Sequence, residues 1–297
     1  MLVPFLHTTA NVESWPRAWH LHPVLVPLLT AAGVGYLIAL RAARRSGRRL
    51  PPAWRAVAYF AGLAALAVAL LGPPDHFNGV LFWVHMVQHL LLMLVAAPLL
   101  VLGRPIWLAL WALAPRTRRG ILRATLGSRP VRSSLSLLTH PLTVLFLYNG
   151  SFIAWHLPSL YQAAVVNELV HELEHASFFG TALLFWQVLL DPRPWRPRLS
   201  TEAAVLLLFI TWMASDLLCA TVTLSSELLY PIYAAQPRPW RLSPLGDQRL
   251  GGAIMWAAAG VLYVALLLAF LAYPAMRRAS KPRHRPERPS GQRHLAS

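Results

Sequence analysis

The chain has a single cysteine, Cys219, in 297 residues. One thiol excludes an intramolecular disulfide and every multi-cysteine zinc or iron–sulfur site. Charge is scarce as well. Only 13% of the residues are charged, against about 25% in a typical soluble domain. With 56% hydrophobic residues and a positive mean hydropathy, that scarcity defines an integral membrane protein. Acids are the rarest charged class, 11 against 27 Lys/Arg, for a net charge of +16. So basic a balance can mark a nucleic-acid binder. Here the basic residues fall in loops between apolar runs and in the C-terminal tail, so nucleic acid is not the expected partner. The first residues also lack the basic n-region of a signal peptide, and the first span is expected to start the insertion itself.

Seven apolar runs are long enough to cross a bilayer, which takes about 20 residues. They lie near 20–40, 53–72, 80–102, 138–156, 167–190, 202–224 and 252–275. The fourth is interrupted by His140, Pro141, Asn149 and Gly150, residues a membrane helix tolerates when neighbours satisfy the freed backbone groups. Pro105–Leu113 is apolar but too short to span, and reads as interfacial. The loops 41–55, 103–137 and 191–201 and the tail after 275 carry 6, 7, 3 and 7 Lys/Arg, while the N-terminus and the loops 73–79, 157–166 and 225–251 carry 1, 0, 0 and 3. By the positive-inside rule, this alternation predicts an all-α membrane protein of seven transmembrane helices, N-terminus outside and C-terminus cytoplasmic. Residues 1–275 form the membrane domain. The tail 276–297 is Arg/Pro-rich and expected to be disordered, and anionic lipid is the simplest partner for it and the basic loops. No internal repeat is evident.

In that topology nine of the twelve histidines and eight of the eleven acids lie outside or in the outer half of a span. His85 and His89 on span three and His171 and His175 on span five form two i, i+4 pairs. At 1.5 Å per residue both pairs lie roughly 5–15 Å beneath the same surface. Ionisable side chains at matched depth are costly and mark function. Imidazole suits copper or zinc, and thioether suits Cu(I). His85, Met86, His89 and Met93 fall within an arc of about 100° on span three. If spans three and five face each other, the imidazole of His89 should approach that of His171 or His175 within roughly 8 Å, which ligand bonds of about 2 Å and small rotamer changes can close.

The segment His171-Glu-Leu-Glu-His175 fits both H-E-x-x-H and H-x-x-E-H. On the first pattern it reads as a zinc protease with Glu172 as general base and Asp216 as a third ligand. Glu and His residues favoured at a helix N-terminus by the dipole or by the interface are the plain alternative. His156, just ahead of Pro158, is either a ligand at the mouth or an interfacial polar residue, and His20 and His22 offer further imidazoles. Asp216 and Cys219 share a face of span six. Asp216 is expected to orient a metal-bound imidazole, and Cys219 is a soft ligand or simple packing. Asp247 precedes span seven, where it either caps the helix or serves the site. Gly251 and Gly252 permit close backbone approach, and Met255 lies at the depth of the histidine pairs.

Four stretches resemble the multi-pass assembly factors of caa(3)-type cytochrome c oxidase, the CtaG family: His85-Met-Val-Gln-His89 with Ala97-Pro-Leu-Leu and Gly103-Arg-Pro105; Trp155-His-Leu-Pro-Ser-Leu-Tyr161; His171-Glu-Leu-Glu-His175; and Asp247-Gln-Arg-Leu-Gly-Gly-Ala-Ile-Met-Trp256. The family pattern His-x-x-Glu-His falls on His171, Glu174 and His175 and leaves Glu172 outside it. The resemblance implies a non-enzymatic role in supplying or placing copper for the oxidase in a bacterial cell membrane. Its partners would be oxidase subunits or a copper donor. The expected ligands are His85, His89, His156, His171 and His175, with Met86, Glu174, Asp216, Asp247 and Met255 as further ligands or supports. Zinc is the alternative metal. An intramembrane zinc protease and a haem- or quinone-binding protein are the alternative functions.

Overall fold

The computed structural model describes residues 18–48, 50–190, 199–236 and 242–279. All regular structure among them is helical. The helices are α1 (Leu25–Arg45), α2 (Ala53–Leu71), α3 (Pro73–Phe77), α4 (Phe82–Leu90), α5 (Ala97–Gly103), α6 (Pro105–Ala112), α7 (Pro115–Leu126), α8 (Arg129–Leu138), α9 (Pro141–Trp155), α10 (Pro158–Val166), α11 (Glu168–Leu190), α12 (Thr201–Leu224) and α13 (Pro244–Ala279). Six continuous helical stretches are long and apolar enough to cross a membrane, and α8 with α9, bent by 55°, makes up to a seventh. The bend falls at Thr139-His140-Pro141. Pro141 supplies no N–H, and His140 caps α9 by accepting the Leu142 N–H.

The stretch Phe82–Ala112 is central. It packs against α2, α11 and α13, with α9 closing the bundle between α11 and α12. Between α4 and α5 the chain forms a π-helical segment, Leu91–Ala96. Pro98 cannot donate back into the preceding turn, which favours such a slip. The Trp186 indole on α11 donates to the Met93 carbonyl at 2.7 Å, satisfying a backbone acceptor inside the slip.

Several boundaries differ from the expectation. The first span runs Leu25–Arg45 rather than 20–40, because His22 accepts the Val24 and Leu25 N–H groups and so opens the helix late. Pro105–Leu113 is not a separate interfacial piece: α6 continues the third span beyond a joint at Arg104, which takes φ 50°. The last apolar helix, α13, starts at Pro244 rather than 252, so Asp247 lies in its first turn. Within α13, Gly251 and Gly252 let the helix approach two neighbours. A Cβ on Gly251 would meet Phe82 at 2.5 Å, and one on Gly252 would meet Thr223 at 2.5 Å. α13 continues to Ala279, and the remainder of the tail, 280–297, lies outside the described residues.

Candidate metal centre

The two histidine pairs face each other. His85 and His89 are one turn apart on α4, with ring centroids 4.3 Å apart, and His171 and His175 on α11 are 4.0 Å apart. Across the interface the separation is 5.7 Å for His89–His175 and 5.2 Å for His85–His171. His156, at the C-terminus of α9, is 6.2 Å from His89. Glu174, fully buried, lies among these rings. Its Oε2 is 3.5 Å from His85 Nε2 and its Oε1 is 3.6 Å from His89 Nε2.

Hydrogen bonding fixes two of these rings by their outward nitrogen. His156 Nδ1 lies 2.7 Å from the Phe152 carbonyl. A carbonyl only accepts, so His156 carries its proton on Nδ1 and its Nε2 is a bare lone pair. His85 Nδ1 is 2.8 Å from the Tyr161 hydroxyl, which is 2.9 Å from the Tyr233 hydroxyl, which donates to the Asn78 carbonyl at 2.7 Å. In the polarity where each hydroxyl both donates and accepts, the chain starts at His85 Nδ1–H. That leaves His85 Nε2 bare and turned toward Glu174. Burial raises both phenols well above their ordinary range, so both remain protonated donors.

What those inward-facing groups lack is a partner. His85 Nε2, both ring nitrogens of His89, His156 Nε2, His175 Nε2 and both oxygens of Glu174 are buried without a hydrogen bond. Buried polar atoms are normally satisfied, and here several unsatisfied ones belong to rings packed against one another. Ligand atoms of His85, His89 and His175 lie within 4.8 Å of one another, as do those of His85, His171 and Glu174, and those of Asp75, His171 and His175. The donor set of imidazoles and carboxylate suits copper or zinc.

The remaining expected residues lie elsewhere. Met86, Met255 and Cys219 pack together in an apolar cluster with Phe82, Tyr161, Tyr230 and Tyr233. Met255 and Cys219 also border a cavity of about 20 Å³ together with His89. Asp216 lines a groove with Trp212 and Trp256, away from the histidines, so it is not placed to orient an imidazole. Asp247 accepts from the backbone of α4. Glu172 is exposed and borders an apolar groove together with His175. Among the described residues Glu174, and not Glu172, belongs to a candidate ligand group.

The sequence reading missed Asp75, Asn78, Gln88, Tyr161 and Tyr233. Gln88 donates to Asp75 Oδ1 at 2.7 Å and to the Ala69 carbonyl at 2.9 Å, and Asn78 Nδ2 meets Gln88 Oε1 at 3.2 Å and His171 Nε2 at 3.4 Å. Asp75 Oδ2 lies 3.4 Å from His20 Nε2. Burial, helped by the neighbouring His22, holds His20 below its ordinary pKa and favours the neutral ring. A glutamine inside an apolar run and an acid in a loop devoid of Lys/Arg were the available signals.

Fold and site together define a polytopic helical membrane protein with a buried histidine–carboxylate cluster near one end of its bundle. The chain belongs to the cytochrome c oxidase caa3 assembly factor (Caa3_CtaG) family, whose profile matches residues 34–277. It is similar to an uncharacterized protein of Mycobacterium leprae, 28% identical over 265 residues, covering 88% of this chain and 40% of the relative. An uncharacterized protein of Mycobacterium bovis is 29% identical over 255 residues, covering 82% of this chain and 38% of the relative. The chain thus spans about two fifths of the length of these curated relatives. No solved structure matches it.

Proposed function

We propose that this chain binds copper at the cluster of His85, His89, His171, His175 and Glu174, with His156 at its margin, and supplies or places that copper during cytochrome oxidase assembly. The observation that carries the reading is the convergence of seven buried, unpartnered ring nitrogens and carboxylate oxygens. Each such group costs roughly 1–3 kcal/mol unsatisfied, more if charged, and a bound cation would satisfy those whose ligand atoms converge, as in the trio His85, His89 and His175. Family membership supplies the process, and the donor set supplies the metal, with zinc as the alternative. The role is metal handling by ligand exchange rather than catalysis. The partners are oxidase subunits or a copper donor.

The site opens outward on this reading. The split of 23 Lys/Arg against 4 between alternate loops supports seven spans, with α8 and α9 counted as one, the N-terminus outside and the C-terminus cytoplasmic in a bacterial cell membrane. Basic inner loops and the tail then face anionic lipid. The test is elemental analysis of purified protein beside a His85/His89/His171/His175→Ala variant. About one copper per wild-type chain and none in the variant is expected. Equal metal in both, or none in the wild type, would remove the copper reading and leave a metal-free scaffold.

A further inference from the structure

We propose that the cluster contains two metal positions that share His175: an outer, receiving position made by Asp75, His171 and His175, and an inner one made by His85, His89 and His175. This rests on the metal reading above and adds a ligand, Asp75, and a direction of transfer.

Each trio offers ligand atoms within 4.8 Å of one another, near enough for one ion with bonds of about 2 Å after small rotamer changes. The trios differ in exposure. Asp75 and His171 are part-exposed, while His85 and His89 are 1% and 2% exposed. Beyond Asp75 stands His20, whose side chain is 40% exposed against 25% for Asp75. Solvent access therefore falls from His20 to the part-exposed Asp75 and His171, and again to the buried inner pair. Asp75 is also held in place. Gln88 fixes Oδ1, and Gln88 is itself anchored on the Ala69 carbonyl and on Asn78, which reaches His171.

The two donor sets suit successive stages. Carboxylate with two imidazoles accepts a divalent ion arriving from water, and three imidazoles beside the buried Glu174 hold it out of solvent. In the transfer, bonds from the ion to Asp75 and His171 break as bonds to His85 and His89 form. The bond to His175 persists, so the ion is never bare in a medium where an uncompensated charge is costly. No electron changes hands, and no other reactant is needed.

The test uses full-length protein in detergent and Cu(II) alone, read by electron paramagnetic resonance and by rapid-mixing kinetics. In a His85→Ala/His89→Ala variant, about one Cu(II) is expected to remain, in a two-nitrogen, one-oxygen environment, and adding Asp75→Asn or His171→Ala should abolish it. Asp75→Asn alone keeps an oxygen to accept from Gln88. It should retain the inner copper but load about tenfold or more slowly, the size of effect usual for losing a supporting group at a metal site. Loading at the wild-type rate in Asp75→Asn would overturn the proposal. So would a double variant without copper beside a wild type that binds it; that result would leave the single-site reading intact. A wild type that binds no Cu(II) would end both.

Discussion

The carboxylate of Asp247 accepts the backbone N–H of Phe82 through Oδ2 and that of Trp83 through Oδ1, each at 3.0 Å. Asp247 stands in the first turn of α13 while its acceptors cap the start of α4, so one buried acid serves the positive ends of two helices. His85 follows one turn further along α4. The height and rotation of the first histidine pair are therefore set from the far end of the chain.

Replacing Asp247 by Ala leaves two buried N–H groups unpaired, at about 1–3 kcal/mol each. Thermal unfolding in detergent should show that loss, and metal affinity should fall with it, since α4 is released near His85. Asp247→Asn, with one accepting oxygen, should lie between. Unchanged unfolding in Asp247→Ala would show that α4 is held by packing alone.

Glu174 and Glu172 should behave oppositely. Glu174→Gln removes a fully buried carboxylate with no hydrogen bond. The metal-free protein should be as stable or more stable, because burying an unpaired charge is costly. Metal affinity should nevertheless drop about 10- to 100-fold, as when a supporting group is lost. Glu172→Gln should change neither quantity, since Glu172 is exposed. Loss of a proteolytic activity in Glu172→Gln would revive the zinc-protease reading. Copper titrations and melting curves on the two variants make the comparison.

A topology reporter fused after Arg278 should be active only in the cytoplasm, and one inserted near Ser159 only outside. The charge split requires both. External activity of the C-terminal fusion would reverse the facing of the histidine cluster and exclude an externally loaded site.

In cells, His89→Ala or His175→Ala should leave the protein in the membrane but lower copper-replete oxidase. Added copper should partly restore it, because mass action offsets a weakened site. Arg283→Ala should have little effect. Oxidase levels that stay normal at low copper in the ligand variants would contradict the copper role. A deficit that copper never relieves, in variants that bind metal normally, would favour a scaffold.

The sequence discloses what is local and periodic. An i, i+4 pair fixes its own face, so two pairs at matched depth were enough to expect His89 near His175, and their centroids are 5.7 Å apart. A lone residue fixes only its height. Asp216 lies on the expected span, but a lone residue carries no rotation, and it lines a groove with Trp256 instead. Met86 is one residue from His85 and so about 100° round the helix, which turns it into the aromatic cluster. Asp75 lies in the short helix α3 at the end of the second span, and Tyr161 and Tyr233 come from a short helix and a turn between spans. Their positions follow from tertiary packing, which no hydrophobic period encodes.

The π-helical segment at Leu91–Ala96 separates two indexings of the third span. Above it, residues count from the Asp247-held end of α4; below it, they count from Pro98 and the contacts of α5. Deleting one residue within the segment would keep the His-x-x-x-His spacing intact and could restore ordinary helical winding. It would also rotate the upper part relative to the lower by about 100°. Either the two imidazoles would swing off α11, or the capped end would have to let go. In this span a motif can therefore survive in the letters while its geometry is lost, and a chain lacking the extra residue should not be credited with the site on spacing alone.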